Sequence, residues 1–158
     1  MTLELRLREV IDSDLPLFFE HQRDPQSVHM AAFTAKDPDD RATFDDHWRW
    51  IRGDPTTIVR TIIVDGRPAG YILTYLGEVG LEVSYWLGRD QWGRGIATAA
   101  LRAFLLVDER RPLRGRAATD NAASLRVLAK GGFVEIDRFP GYANARRAPI
   151  EEVLLELT

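Results

Sequence analysis

The chain has 158 residues, 45% of them hydrophobic and 28% charged, with a formal net charge of −3 and no cysteine. That length suits one domain with one core. The mild acidity argues against a general nucleic-acid binder, and the missing thiol excludes disulfides, cysteine–zinc sites and a cysteine nucleophile. Leu3, Leu5 and Leu7 alternate with Glu4, Arg6 and Arg8, the pattern of a half-buried strand and not of a secretory leader. Asp12, Ser13 and Asp14 cap a first helix whose apolar face carries Leu15, Phe18 and Phe19. Arg23 to Asp37 has no clear period and is expected to be a loop holding a short helix at most. Pro38, Asp39 and Asp40 open a second helix striped by Phe44, Trp48 and Ile51, and Gly53, Asp54 and Pro55 end it.

Thr57 to Val64 is rich in β-branched residues and runs into Asp65-Gly66, the strongest hairpin signal in the chain. Ala69 to Leu76 returns, Gly77 and Gly80 bracket a second turn, and Leu81 to Leu87 forms a third strand of an antiparallel meander. Gly88 to Gly95 is a loop. A helix follows from Gly95 to about Glu109, with Ile96, Ala100, Ala103, Phe104 and Val107 expected inward. Arg114 to Ala118 is a strand, and Asn121 to Lys130 a short helix closed by Gly131-Gly132. Phe133 to Asp137 and Val153 to Leu157 are the last strands, separated by a loop over Phe139 to Pro149. The order βααβββαβαββ predicts an α/β (α+β) fold with about seven strands and about four helices. With no repeat or linker, residues 1–158 are expected to form a single domain.

The informative segment is Gln91-Trp92-Gly93-Arg94-Gly95-Ile96-Ala97, where a strand passes through a glycine loop into a helix. Converging backbone N–H groups and the unpaired donors of a helix start make an anion site, most often for phosphate. A plain glycine turn is the alternative. No Gly-Lys-Ser/Thr follows, and the third glycine of a dinucleotide fingerprint is replaced by Thr98.

This segment, after the strand Glu82-Val-Ser-Tyr-Trp-Leu87, resembles the acyl-CoA signature of the GNAT acetyltransferases. The run from Asn121 to Phe133 is similar to the downstream segment of that family's ribosomal-protein acetyltransferase-like branch, the RimJ/RimL type. The resemblance implies a GNAT fold with a mixed, mostly antiparallel twisted sheet. It also implies acetyl-CoA as cofactor, no metal, and an amine acceptor, either a small molecule or a protein N-terminus. GNAT domains are often dimers, so a homodimer is one state it implies.

The same resemblance assigns roles to residues. Backbone amides of Gln91, Trp92, Gly93, Arg94, Gly95 and Ile96 would hold the CoA pyrophosphate, with Arg94 adding charge and Ala97 completing the motif. The pantetheine arm would lie along Tyr85, Trp86 and Leu87, and an amide near Trp86 would polarise the thioester carbonyl. Glu82 matches the strand glutamate used as general base. It shares a face with Ser84 and Trp86, about 13 Å from the latter, so it would act through water. An ordinary solvated strand residue is the other reading of Glu82. Asn121 matches a CoA-contacting asparagine and is also a good helix N-cap; Ser124 matches the general acid and could equally be first-turn polarity. Tyr142 is a further candidate acid. Gly131 departs from the branch, which has a large apolar residue there.

His21, His29 and His47 share no metal-like spacing, although His29 would border the acceptor pocket. Trp50 falls off its helix stripe and could face the acceptor site or a partner. Two functions fit: a cytoplasmic N-acetyltransferase acting through a ternary complex, without a membrane or nucleic-acid partner, or a non-catalytic CoA-binding module working through a partner.

Overall fold

The computed structural model describes residues 3–158, and Met1 and Thr2 lie outside the described residues. The opening strand is β1 (Leu5–Arg8), followed by a 3-10 turn at Asp12–Asp14 and α1 (Leu15–Arg23). The short helix allowed for in Arg23 to Asp37 is present as α2 (Pro25–Ala31), giving five α-helices among the described residues. Asp24 caps it, its carboxylate accepting from the Ser27 amide at 2.9 Å, and Pro25 occupies the first turn. The helix is too short to show an apolar period, and its one fully buried residue is Ser27. The next helix is α3 (Arg41–Gly53), capped by Asp40 through the Thr43 amide at 3.1 Å.

The meander follows as β2 (Ile58–Val64), β3 (Arg67–Gly77) and β4 (Gly80–Leu87). Asp65 and Gly66 both take positive φ, 50° and 82°, as a two-residue hairpin of this twist requires. A 3-10 turn at Arg89–Gln91 leads to α4 (Ile96–Val107), then β5 (Leu113–Ala118) and α5 (Ala122–Lys130). Within α4 the inward residues include Leu101, whereas Val107 faces outward. The helix stops at Asp108, whose backbone turns extended (φ −116°, ψ 105°) and whose carboxylate is held by Arg110 and Thr74.

The chain closes with β6 (Val134–Ala143) and β7 (Ala148–Leu157), a long hairpin where a loop over Phe139 to Pro149 was expected. Pro140 and Gly141 obscure the strand in the sequence. They are tolerated because β6 is the outer strand of the sheet.

The seven strands run in the order β1-β2-β3-β4-β5-β7-β6. Neighbours are antiparallel except β4 and β5, which run parallel. On one face Ile72, Val83, Leu87, Leu113 and Val153 pack with α4 and α5. On the other, Leu73 and Tyr71 pack against Phe18, Phe44 and Trp48 of α1 and α3. Trp48 meets Tyr71 edge-on at 4.8 Å. The sheet is therefore a wall between two helical layers.

Candidate active site

The wall has one weak seam. β4 and β5 share a single register pair, Glu82 with Arg114, and part beyond it. A cavity of about 730 Å³ fills the gap and reaches both faces of the sheet.

On the α4 side its rim is the glycine loop. Gly93 and Gly95 take φ of 73° and 75°, which a Cβ would strain. Among the described residues, no acceptor is hydrogen-bonded to the amides of Gly93, Arg94 or Gly95. The first amides of α4 are unpaired by construction of a helix start. Gln91, Trp92, Gly93, Gly95 and Ile96 line the cavity, as does Ala97, but Arg94 does not. Its guanidinium turns back, donating to Gln91 Oε1 at 2.8 Å and lying 3.8 Å from Asp65.

Strand pairing decides which amides of β4 face the gap. The hairpin closes on Gly77 opposite Gly80, and at the far end the Gly88 amide donates to Ala69 O at 3.0 Å. Antiparallel ladders alternate, so Glu82, Ser84 and Trp86 direct their amides to β3. The amides of Tyr85 and Leu87 are the ones turned toward β5. They flank Trp86, whose own amide pairs with β3. The Trp86 side chain still lines the cavity, and its indole N–H is buried without a partner.

Side chains of β4 divide by face. Tyr85 points toward α5, its hydroxyl 2.9 Å from Ser124 Oγ. Asn121 caps α5 by accepting from the Ser124 amide at 3.2 Å, and its Nδ2 donates to Met30 O at 3.4 Å. Both Asn121 and Ser124 also line the cavity.

Glu82 points the other way and is not solvated: it is 2% exposed. Its Oε1 accepts from Arg116 Nε at 2.7 Å and from the Tyr75 hydroxyl at 3.3 Å, while Oε2 is buried with no partner. Arg116 also lies 3.5 Å from Glu152, a carboxylate only 6% exposed. Burial pushes the Glu152 carboxyl above its ordinary range; the Arg116 charge opposes this and the Glu82 charge adds to it.

Residues 4–134 match the acetyltransferase (GNAT) domain family. The chain belongs to the GNAT acetyltransferase family. Mycobacterium smegmatis RimJ, solved with a CoA disulfide, superposes with a TM-score of 0.79 at 23% identity, covering 98% of this chain and 81% of that one. RimL, a ribosomal alpha-N-protein acetyltransferase solved with coenzyme A, gives 0.78 at 17% identity over 97% and 93%. An N-acetyltransferase from Staphylococcus aureus gives 0.74 at 14% identity over 98% of both. None of the curated proteins matches the sequence.

Other expectations for this GNAT domain divide. Tyr142 lies on outer strand β6, 63% exposed, and is absent from the cavity wall. Trp50 is 50% exposed and stacks on His47 on the outer side of α3, away from the cavity. His29 sits on helix α2 rather than in a loop, and its carbonyl accepts from Arg146 Nε at 2.7 Å. The three residues that sequence reading passed over are Tyr75, Arg116 and Glu152. Their signal was present: arginines alternating with apolar or small residues in Leu113–Ala118, and an acidic pair, Glu151 and Glu152, directly before the apolar run Val153–Leu155.

Proposed function

We propose that the protein transfers the acetyl group of acetyl-CoA directly to a primary amine within a ternary complex. The observation that carries this reading is the through-sheet cavity, which joins an anion-binding loop on one face to a buried carboxylate on the other. The residues fit CoA: the unpaired amides of Gly93, Arg94 and Gly95 suit its pyrophosphate. The cleft-facing amides of Tyr85 and Leu87 suit the pantetheine arm, which adds to β4 as a strand would.

Acetyl-CoA supplies an activated carbonyl and a thiolate leaving group. One of the two free β4 amides polarises the carbonyl. As the nitrogen–carbon bond forms and the carbon–sulfur bond breaks, the amine proton passes through water to the Glu82 carboxylate, with Glu152 beside it. Ser124 gives its proton to the departing sulfur and is resupplied by the Tyr85 hydroxyl, which regains a proton from water as Glu82 gives up the amine proton to water after the product leaves. With no cysteine in the chain, no thiol of the protein carries the acetyl group. The same lack of cysteine fits a reducing compartment such as the cytoplasm.

Thiol release from acetyl-CoA in the presence of peptides, polyamines and aminoglycosides tests the reading. Amine-dependent release is expected. Tight CoA binding with no release would instead identify a binding module. Sedimentation at the assay concentration tests the homodimer.

A further inference from the structure

Alternation along β4 sends Val83, Tyr85 and Leu87 toward α4 and α5, and Glu82, Ser84 and Trp86 toward the opposite helical layer. Ser84 lies opposite Leu73 of β3. Leu73 is buried beneath α1 and α3, yet Ser84 beside it is exposed. The helical layer therefore ends between β3 and β4, and the middle strand of the sheet is bare at its centre. Of the sheet residues that line the cavity, Ser84 alone is exposed.

The other polar side chains on this face are less available to an entering amine. Glu82 and Glu152 are 2% and 6% exposed, and Arg116 between them can only donate. Ser27 of α2 is buried, and its hydroxyl donates to Asp24 Oδ2 at 2.9 Å. Met30 and Phe33, from α2 and the segment after it, supply apolar walls. The Ser84 hydroxyl is left to the open cavity, where its oxygen can accept. Its position along the strand matters too. The next amide in the chain, that of Tyr85, is one of the two turned into the gap.

We infer that Ser84 is the residue that meets the acceptor. Its hydroxyl oxygen accepts a hydrogen bond from the neutral amine and points the nitrogen lone pair at the thioester carbonyl. Ser84 takes no proton in this role; it fixes the line of attack. The inference rests on the acetyl-transfer reading, which places the thioester beside the Tyr85 and Leu87 amides.

The chain has no cysteine, so Ser84→Cys and a surface control, Leu106→Cys on α4 at a site 80% exposed, each carry a single thiol. Each variant is incubated with acetyl-CoA, and the added acetyl mass is followed by mass spectrometry. The thiol loses its proton to water, its sulfur bonds the acetyl carbon, and the CoA sulfur leaves and is protonated. Acetylation at position 84 should be at least about 100-fold faster than at position 106. Equal rates would overturn the inference. In turnover with an amine from the peptide, polyamine and aminoglycoside panel, Ser84→Ala should lower kcat/KM for the amine by about ten-fold. The KM of acetyl-CoA should not change, and Ser84→Thr, which keeps the hydroxyl, should restore most of the loss. An unchanged kcat/KM in Ser84→Ala would also overturn the inference. If the unsubstituted protein acetylates no amine of the panel, the acetyl-transfer reading fails for those amines, while the thiol rates still decide whether Ser84 stands at the thioester.

Discussion

The Tyr85 hydroxyl lies 2.9 Å from the Ser124 hydroxyl and ties the middle of β4 to the first turn of α5. Burial pushes the Tyr85 phenol above its ordinary value, with the Ser124 contact opposing, so at neutral pH it keeps its proton. In the proposed reaction the two groups act as one proton source. Ser124→Ala and Tyr85→Phe should each lower kcat by about 10–100-fold, and the double variant should be no worse than the more damaged single one. Steady-state kinetics of all four proteins check this. Additive losses would show two independent roles.

Gly93 takes φ of 73° and has no atom within 4 Å of where a Cβ would stand. A side chain there strains only its own backbone, by about 1–2 kcal/mol, but stands in the loop whose amides the proposed reading gives to phosphate. Gly93→Val should therefore weaken CoA binding by at least about 100-fold, close to 3 kcal/mol. The protein should stay folded, with the melting temperature lowered by only a few degrees. Calorimetry and thermal melts separate the two effects. Unchanged affinity would place the phosphate site elsewhere.

Glu152 is held above the ordinary carboxylate range by burial, and the neighbouring Glu82 charge raises it further. Glu82→Gln removes that charge and leaves Arg116 to Glu152 alone. The Glu152 carboxyl should then titrate at lower pH, which carbon-detected NMR of the side chain reads directly. The same substitution should cost about 100-fold in kcat/KM if Glu82 receives the amine proton. A shifted titration with full activity would move that role to Glu152.

Asp108 follows α4 and is 2% exposed. Burial alone would raise its carboxyl, but hydrogen bonds from Arg110 and Thr74 outweigh it and hold the value at about 2. The folded value lies below the unfolded one near 3.8, so the ionised group favours the folded state. That contribution, about 2 kcal/mol, is complete above pH 3.8 and is lost as pH falls toward 2. Urea unfolding between pH 5 and pH 2 should show the loss in the native protein and a flatter profile in Asp108→Asn.

The chain order of elements was legible because strong local signals marked each border: alternation in β1, Asp65-Gly66 between β2 and β3, and Asn121 at the start of α5. Where two signals competed, the sequence misled. Pro140 and Gly141 outweighed the strand pattern of β6, although an outer strand accepts both. α2 was too short to display a period. The glycine loop was readable because backbone geometry at Gly93 and Gly95 depends on residue type alone. The Glu82–Arg116–Glu152 cluster was not, because it joins three strands that meet only through the sheet order. The direction of the Trp86 amide depends on ladder phase, which a two-residue turn fixes and a residue count does not.

The parting of β4 and β5 beyond Glu82 and Arg114 also bears on mechanics. Along this seam the sheet is two half-sheets held by one rung, braced across it by the Arg116–Glu82 ion pair and by the Arg114 guanidinium donating to Val79 O. A ligand that bonds the amides of Tyr85 and Leu87 supplies rungs on one side only, bracing the first half-sheet without closing the seam. Hydrogen exchange at those two amides should therefore slow on CoA binding far more than at Arg116 or Ala117 across the gap, and the halves keep the freedom to open for product to leave.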